Sequence, residues 1–159
     1  MKGFSHEGQS AVTVEWYTPP WIFERLDIQF DLDPCHPVKC IPWVPARVTY
    51  SEINNGLLMP WFGTVWLNPP YGAETKKWLA KMAEHGDGVA LVFARTDCAW
   101  FHDYIPHADR TLFLKKRVRF VDGTGVTKGS GAGSGSMLVA WGGVGSSALE
   151  NMRDLGYLV

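Results

Sequence analysis

Apolar positions along the chain fall into two periods, one marking strands and the other helices. Ile28, Phe30 and Leu32 alternate with Gln29 and Asp31, which predicts a half-buried strand halted at Asp33-Pro34. Thr64-Val65-Trp66-Leu67 is a short apolar run ending at Asn68, and Val89 to Ala94 is an unbroken apolar run suited to a fully buried strand. Between them, residues 74–85 put Trp78, Leu79 and Met82 on one helical face, with Gly86 and Gly88 as the stop. Upstream, Thr18 is expected to cap a short helix with Pro19 in its first turn and with Trp21, Ile22 and Leu26 inward. Thr96 or Asp97 is expected to cap a helix carrying Trp100, Phe101 and Tyr104. Thr111 to Leu114, Val118 to Phe120 and Ser136 to Trp141 read as further strands. Residues 35–62, with Pro37, Pro42, Pro45 and Pro60, read as a long loop, and Gly123 to Gly135 as a mobile one. No internal repeat is visible. Strands alternating with helices predict an α/β fold, a mostly parallel sheet with helices on both faces. Residues 1–15 are expected to be a flexible arm and 16–159 a single domain.

Composition narrows the class. The 159 residues, 46% hydrophobic and 19% charged, suffice for one core. A formal net charge of −1 argues against holding nucleic acid by bulk electrostatics, so any such contact must use local patches. Lys115, Lys116, Arg117 and Arg119 form one, and Lys76, Lys77 and Lys81 share a region of the expected helix. Eight Trp exceed what packing needs, and several sit beside Pro or Gly, where flat faces can meet bases. Three Cys, no signal-like start and no run long enough to span a bilayer predict a protein of the cytoplasm without a membrane partner. Cys35, His36 and Cys40 lack the second pair that a structural zinc site needs, so no metal is expected. The run from Gly129 to Gly135 has neither the Lys-Ser/Thr ending nor the following helix of a phosphate cradle.

The chemistry concentrates at Asn68-Pro69-Pro70-Tyr71. An aromatic exocyclic amine is a poor nucleophile because its lone pair is delocalised into the ring. The Asn68 side-chain oxygen and the Pro69 carbonyl can each accept a hydrogen bond from such an amine and bias it toward a tetrahedral nitrogen. Two prolines stiffen the turn that presents these acceptors, and Tyr71 offers a face for stacking. A plain strand-ending turn is the alternative, but the position just after a strand is where open α/β sheets bind ligands. Arg95 and Thr96 end the buried strand at the same edge, where they are candidates for contact with a phosphate or a flanking base. The alternative for Arg95 is an ion pair with Asp97 or Asp103.

Trp16-x-Thr18-Pro19, Asp31-Leu32-Asp33-Pro34, Asn68-Pro69-Pro70-Tyr71, Ala94-Arg95-Thr96-Asp97 with Trp100-Phe101-His102, and Arg117-Val118-Arg119-Phe120 together resemble the small, phage-type DNA adenine methyltransferases. The resemblance spans residues 16–141. It implies a Rossmann-like methyltransferase fold and transfer of a methyl group from S-adenosylmethionine to the N6 amino group of adenine in DNA. It makes Asn68, Pro69, Pro70 and Tyr71 catalytic, with Trp16, Thr18, Pro19, Asp31, Asp33, Pro34 and Asn68 at the cofactor. Asp33 is the first choice for a ribose or the cofactor's positive groups, and Asp31 the second. The chain departs from the larger adenine methyltransferases in lacking a Phe-x-Gly-x-Gly loop after the first strand, and it has no room for a separate recognition domain. Specificity must come from loops or from a second subunit of a homodimer. An RNA base or a glutamine side chain also suits such a pocket, and a DNA-binding module without turnover is the reading from another class.

Overall fold

The computed structural model describes residues 17–39, 41–127 and 131–159. Seven strands form one sheet: β1 (Phe30–Asp33), β2 (Ala46–Thr49), β3 (Val65–Leu67), β4 (Gly88–Phe93), β5 (Arg110–Leu114), β6 (Ser136–Trp141) and β7 (Gly156–Leu158). The spatial order is β2-β1-β3-β4-β6-β5-β7. β2, β1, β3 and β4 are mutually parallel, whereas β6 is antiparallel to β4 and β5, and β7 to β5. The sheet is therefore mixed, and the expectation of a mostly parallel one is corrected. Among the described residues no helix lies between β5 and β6, and a helix is the usual crossover of a parallel pair.

Four helices cover the sheet: α1 (Pro20–Leu26), α2 (Thr75–His85), α3 (Ala99–Tyr104) and α4 (Gly143–Glu150). The alternation within β4 divides the core. Val89 and Leu91 face one cluster with Ile22, Phe23 and Leu26 of α1 and Ala148 and Leu149 of α4. Ala90 and Val92 face a second cluster with Trp78, Leu79 and Met82 of α2, against which Trp100 and Phe101 of α3 also pack. Helices thus lie on both faces, as the pattern predicts. α2 ends at Gly86, whose φ of 75° places it in the left-handed region while its N–H closes the last turn on the Met82 carbonyl at 2.9 Å.

Several local expectations change. Thr18 does not cap α1; Pro19 holds that position and Thr18 is buried. Cys98, not Thr96 or Asp97, precedes α3. The long loop of residues 35–62 contains β2, whose burial is partial at Ala46 and lost from Arg47 to Thr49, so it shows no apolar face to read. Val118 and Phe120 are buried but belong to no strand; beside them Val121 bridges Tyr17 and Thr127. α4 and β7 lie beyond the last element expected from the pattern, and α4 begins in a Gly-rich run that disfavours helix on propensity alone. No helix among the described residues is long and apolar enough to cross a membrane.

Candidate active site

The chain crosses from β1 outward to β2 and from β3 outward to β4 on the other side, so the strand order reverses between β1 and β3. Such a switch point opens a crevice at the carboxyl ends of the strands. Asp33 ends β1 and Asn68 follows β3, so both stand at this crevice. A cavity of about 240 Å³ lies there, lined among others by Thr18, Asp33, Cys35, Asn68, Pro69 and Tyr71. A second, of about 560 Å³, shares Cys35, Pro37 and Pro70 with it and adds Pro34, Glu52 and Gly56.

Packing explains how Thr18 reaches Asn68. Phe23 of α1 meets Trp66 of β3 edge-on, with centroids 4.7 Å apart, which pins the start of α1 beside the end of β3. There the Asn68 amide Nδ2 donates to Thr18 Oγ1 at 3.3 Å, and the Tyr71 hydroxyl donates to Asn68 Oδ1 at 3.1 Å. The Pro70 carbonyl accepts from Thr75 Oγ1 at 2.8 Å, tying the turn to the first residue of α2. No hydrogen bond among the described residues reaches the Pro69 carbonyl, so it is free to accept. Tyr71 stacks on Phe93 with centroids 4.1 Å apart at 18° and is 38% exposed, so one face is covered and the other open. Desolvation of its hydroxyl end, with the nearby Cys35 thiol, raises the phenol's pKa and keeps it a donor.

Asp33 is spoken for on both oxygens. Oδ1 accepts the Cys35 N–H at 3.1 Å and Oδ2 faces His36 Nδ1 at 2.7 Å. His36 Nε2 accepts from the Ile41 N–H at 3.3 Å, which leaves Nδ1 as the donor. Burial raises the Asp33 pKa, against the opposing pull of His36 and the Cys35 N–H. Burial and the Asp33 charge push the Cys35 thiol up to about 12, so it stays protonated. Where a glycine loop is missing, a hydrogen-bonded Asp-Pro-Cys-His turn stands. Gly56 meets it closely: a Cβ there would sit 1.9 Å from the Pro34 carbonyl oxygen. Lys81 Nζ donates to the Leu57 and Met59 carbonyls at 2.7 and 2.6 Å, clamping this segment onto α2.

Asp31 takes a different position from Asp33. Its Oδ2 accepts the Thr64 N–H at 2.9 Å and its Oδ1 lies 3.4 Å from Arg47 Nη1, and it lines neither cavity. Pro19 lies in a third depression, with Trp21, Lys115, Lys116, Arg117 and Arg119. Trp16 and Cys40 lie outside the described residues. Among the described residues no group of three His, Cys, Asp or Glu side chains could hold a metal ion.

The basic run belongs to the same edge of the sheet. β5 is antiparallel to β6, which is antiparallel to β4, so β5 ends where β4 ends and the chain leaves it, from Lys115 on, at the edge that holds the crevice. Lys115 Nζ donates to the Asp154 carbonyl and Arg117 Nη1 to that of Ala132, while Lys116 and Arg119 are exposed. Arg95 is exposed, makes no ion pair among the described residues, and sits 6.0 Å from the Phe93 ring; Asp103 pairs with Lys76 instead. Thr96 is exposed and its carbonyl accepts from His102 Nε2 at 2.8 Å. The patch expected from Lys76, Lys77 and Lys81 is taken up by Asp103, Glu74 and backbone carbonyls.

The model of the DNA N-6-adenine-methyltransferase (Dam) family matches residues 6–151 of the 159. The chain belongs to the Dam family. It is accordingly a DNA adenine N6-methyltransferase, and nothing favours an RNA base, a glutamine side chain or a module without turnover. Dam enzymes generally use S-adenosylmethionine and act on DNA. No curated protein and no solved structure matches the chain.

Two members of the site escaped the sequence reading. Glu52, just past β2, gives no signal because β2 is barely buried and its sequence pattern is that of a loop. Phe93 carried only the signal of a core strand, since its contact with Tyr71 spans residues far apart in sequence.

Proposed function

We propose that this Dam enzyme holds S-adenosylmethionine along the carboxyl ends of β1 and β2 and receives the flipped adenine over Asn68 to Tyr71. The observation that carries the reading is the pair of joined cavities at the switch point. Alone, the 240 Å³ cavity falls below the roughly 300–1,000 Å³ usual for small-molecule sites, but the adjoining 560 Å³ extends it. Among the described residues their linings carry Asp33, Glu52 and Glu74 and no Lys or Arg, a field that favours a cationic ligand. This fits a sulfonium bearing an ammonium group. Glu52, at the end of β2, stands where doubly wound folds use a carboxylate for a ribose diol. The parallel half of the sheet, with its switch point and helices on both faces, supports a Rossmann-like methyltransferase fold. Bound there, S-adenosylmethionine supplies an electrophilic methyl group.

The chain's own residues do the rest. Asn68 Oδ1 and the Pro69 carbonyl accept from the adenine amino group and turn its lone pair out of the ring plane. Thr18 holds the Asn68 amide in place. The open face of Tyr71 stacks on the extruded base and offsets an unstacking cost of a few kcal/mol. Asp33 serves as the internal brace of the first turn, with lone pairs left for the ligand, while Asp31 braces the entry to β3. Arg95, Thr96, Lys116 and Arg119 contact DNA phosphates along the same edge, and the segment that follows β5 contributes to recognition. The enzyme works in the cytoplasm, where its DNA and methyl donor meet.

Calorimetric titration with S-adenosylmethionine tests the donor site. Binding to the wild type and a roughly five- to tenfold weaker affinity for Glu52→Gln, the loss of a charged hydrogen bond, support it. Equal affinity of the two proteins refutes the placement of the ribose.

A further inference from the structure

We infer that Phe93 is a positioning residue for base extrusion: it backs Tyr71 so that a single, fixed face of that ring awaits the target adenine. The inference rests on reading Asn68 to Tyr71 as the target pocket. Tyr71 is 38% exposed and is followed by Gly72 at a φ of 116°. Among the described residues the hydrogen bond to Asn68 and the face-to-face contact with Phe93 hold the ring.

Phe93 is anchored where Tyr71 is not. It is the last residue of β4, paired with Ser136 of β6 and packed against the core cluster that contains Trp66. Immediately beyond it the Ala94 N–H donates to the Gly135 carbonyl at 2.9 Å and the Arg95 N–H to the Phe93 carbonyl at 2.8 Å. The chain therefore reverses sharply and fixes the ring's base. Arg95 lies 6.0 Å from the same ring, within the range of a cation and aromatic contact. Phe93 thus touches two groups, the exposed Arg95 guanidinium and the Tyr71 ring that meets the base. A stacked aromatic pair biases ring orientation by roughly two- to tenfold. Without Phe93, part of every encounter would find Tyr71 in the wrong plane.

The test uses a duplex carrying 2-aminopurine at the methylated position, once that site is found by sequencing DNA from expressing cells. Phe93→Leu should reduce the fluorescence rise on extrusion and raise the KM for duplex about three- to tenfold, with unchanged affinity for S-adenosylmethionine, and Phe93→Tyr should restore both. Should Phe93→Leu fail to fold, Phe93→Met carries the same comparison. A wild-type fluorescence rise in Phe93→Leu or Phe93→Met, beside a diminished one in Tyr71→Ala, overturns the role of Phe93 alone. A wild-type rise in Tyr71→Ala as well overturns the target pocket itself.

Discussion

The bond between Asn68 Nδ2 and Thr18 Oγ1 permits a quantitative test of whether Thr18 acts through Asn68 or directly on the methyl donor. Thr18→Val keeps the shape of a side chain that is only 3% exposed, so it opens no cavity and removes one hydrogen bond. At 3.3 Å the bond is long, and a neutral bond of this kind is worth about 0.5–1.5 kcal/mol net. If that energy holds the Asn68 amide in its working place, single-turnover methyl transfer at saturating S-adenosylmethionine should fall about twofold to about tenfold. Asn68→Ala should cost more than about tenfold while leaving donor affinity nearly intact, because it removes an acceptor that works chiefly in the transition state. The double variant should then be no slower than Asn68→Ala, since Thr18 has nothing left to hold. A double-mutant cycle on single-turnover rates measures this, with donor affinity followed separately by calorimetry. Losses that multiply in the double variant would refute the coupling and make Thr18 an independent contact.

Three further outcomes follow from the geometry. Tyr71→Ala should weaken action on duplex DNA more than on a mispaired or single-stranded adenine, which needs less stacking to stay out; equal losses in the two KM values would remove the stacking role. The Asp33 carboxyl is raised above 3.8, so the stability linked to its proton is complete below that value and is lost as pH rises through the higher folded value. The difference in Tm between wild type and Asp33→Asn should therefore move against the wild type across that window and level off above it, and a constant difference would mean the charge is not buried as described. Lys116→Ala with Arg119→Ala should lower the slope of log affinity against log salt by about 1.8 if each side chain neutralises one duplex phosphate, and an unchanged slope would move the DNA elsewhere.

Much of this was legible in the chain because burial leaves a periodic trace. The unbroken run from Val89 to Ala94 falls on β4, which ends one residue earlier at Phe93, and the spacing of Trp78, Leu79 and Met82 falls on α2; their residues are buried to 8% exposure or less apart from the half-buried Phe93 and Ala94. The Asn68 turn could be placed because a strand precedes it. β2 was missed since an edge strand buries almost nothing, and Glu52 was missed with it. Val118 and Phe120 show the opposite case: they alternate inward with outward arginines, yet among the described residues they belong to no strand. Strand direction left no trace either, because a strand's apolar pattern is the same whichever way it runs.

That reversed β6 carries a consequence for how this enzyme can change. The Asp33 and Asn68 turns leave two of four parallel strands, whereas the basic segment is a single excursion between β5 and β6, tied back to the crevice where Val121 bridges Tyr17 and where the Gly135 carbonyl accepts the Ala94 N–H. Insertions or exchanges in that excursion leave the registers of β1, β2 and β3 untouched. Exchanging the exposed Lys116 and Arg119 therefore spares the core, whereas replacing the whole excursion would also remove the buried Val118, Phe120 and Val121 and disturb the footing of Thr18 beside Asn68.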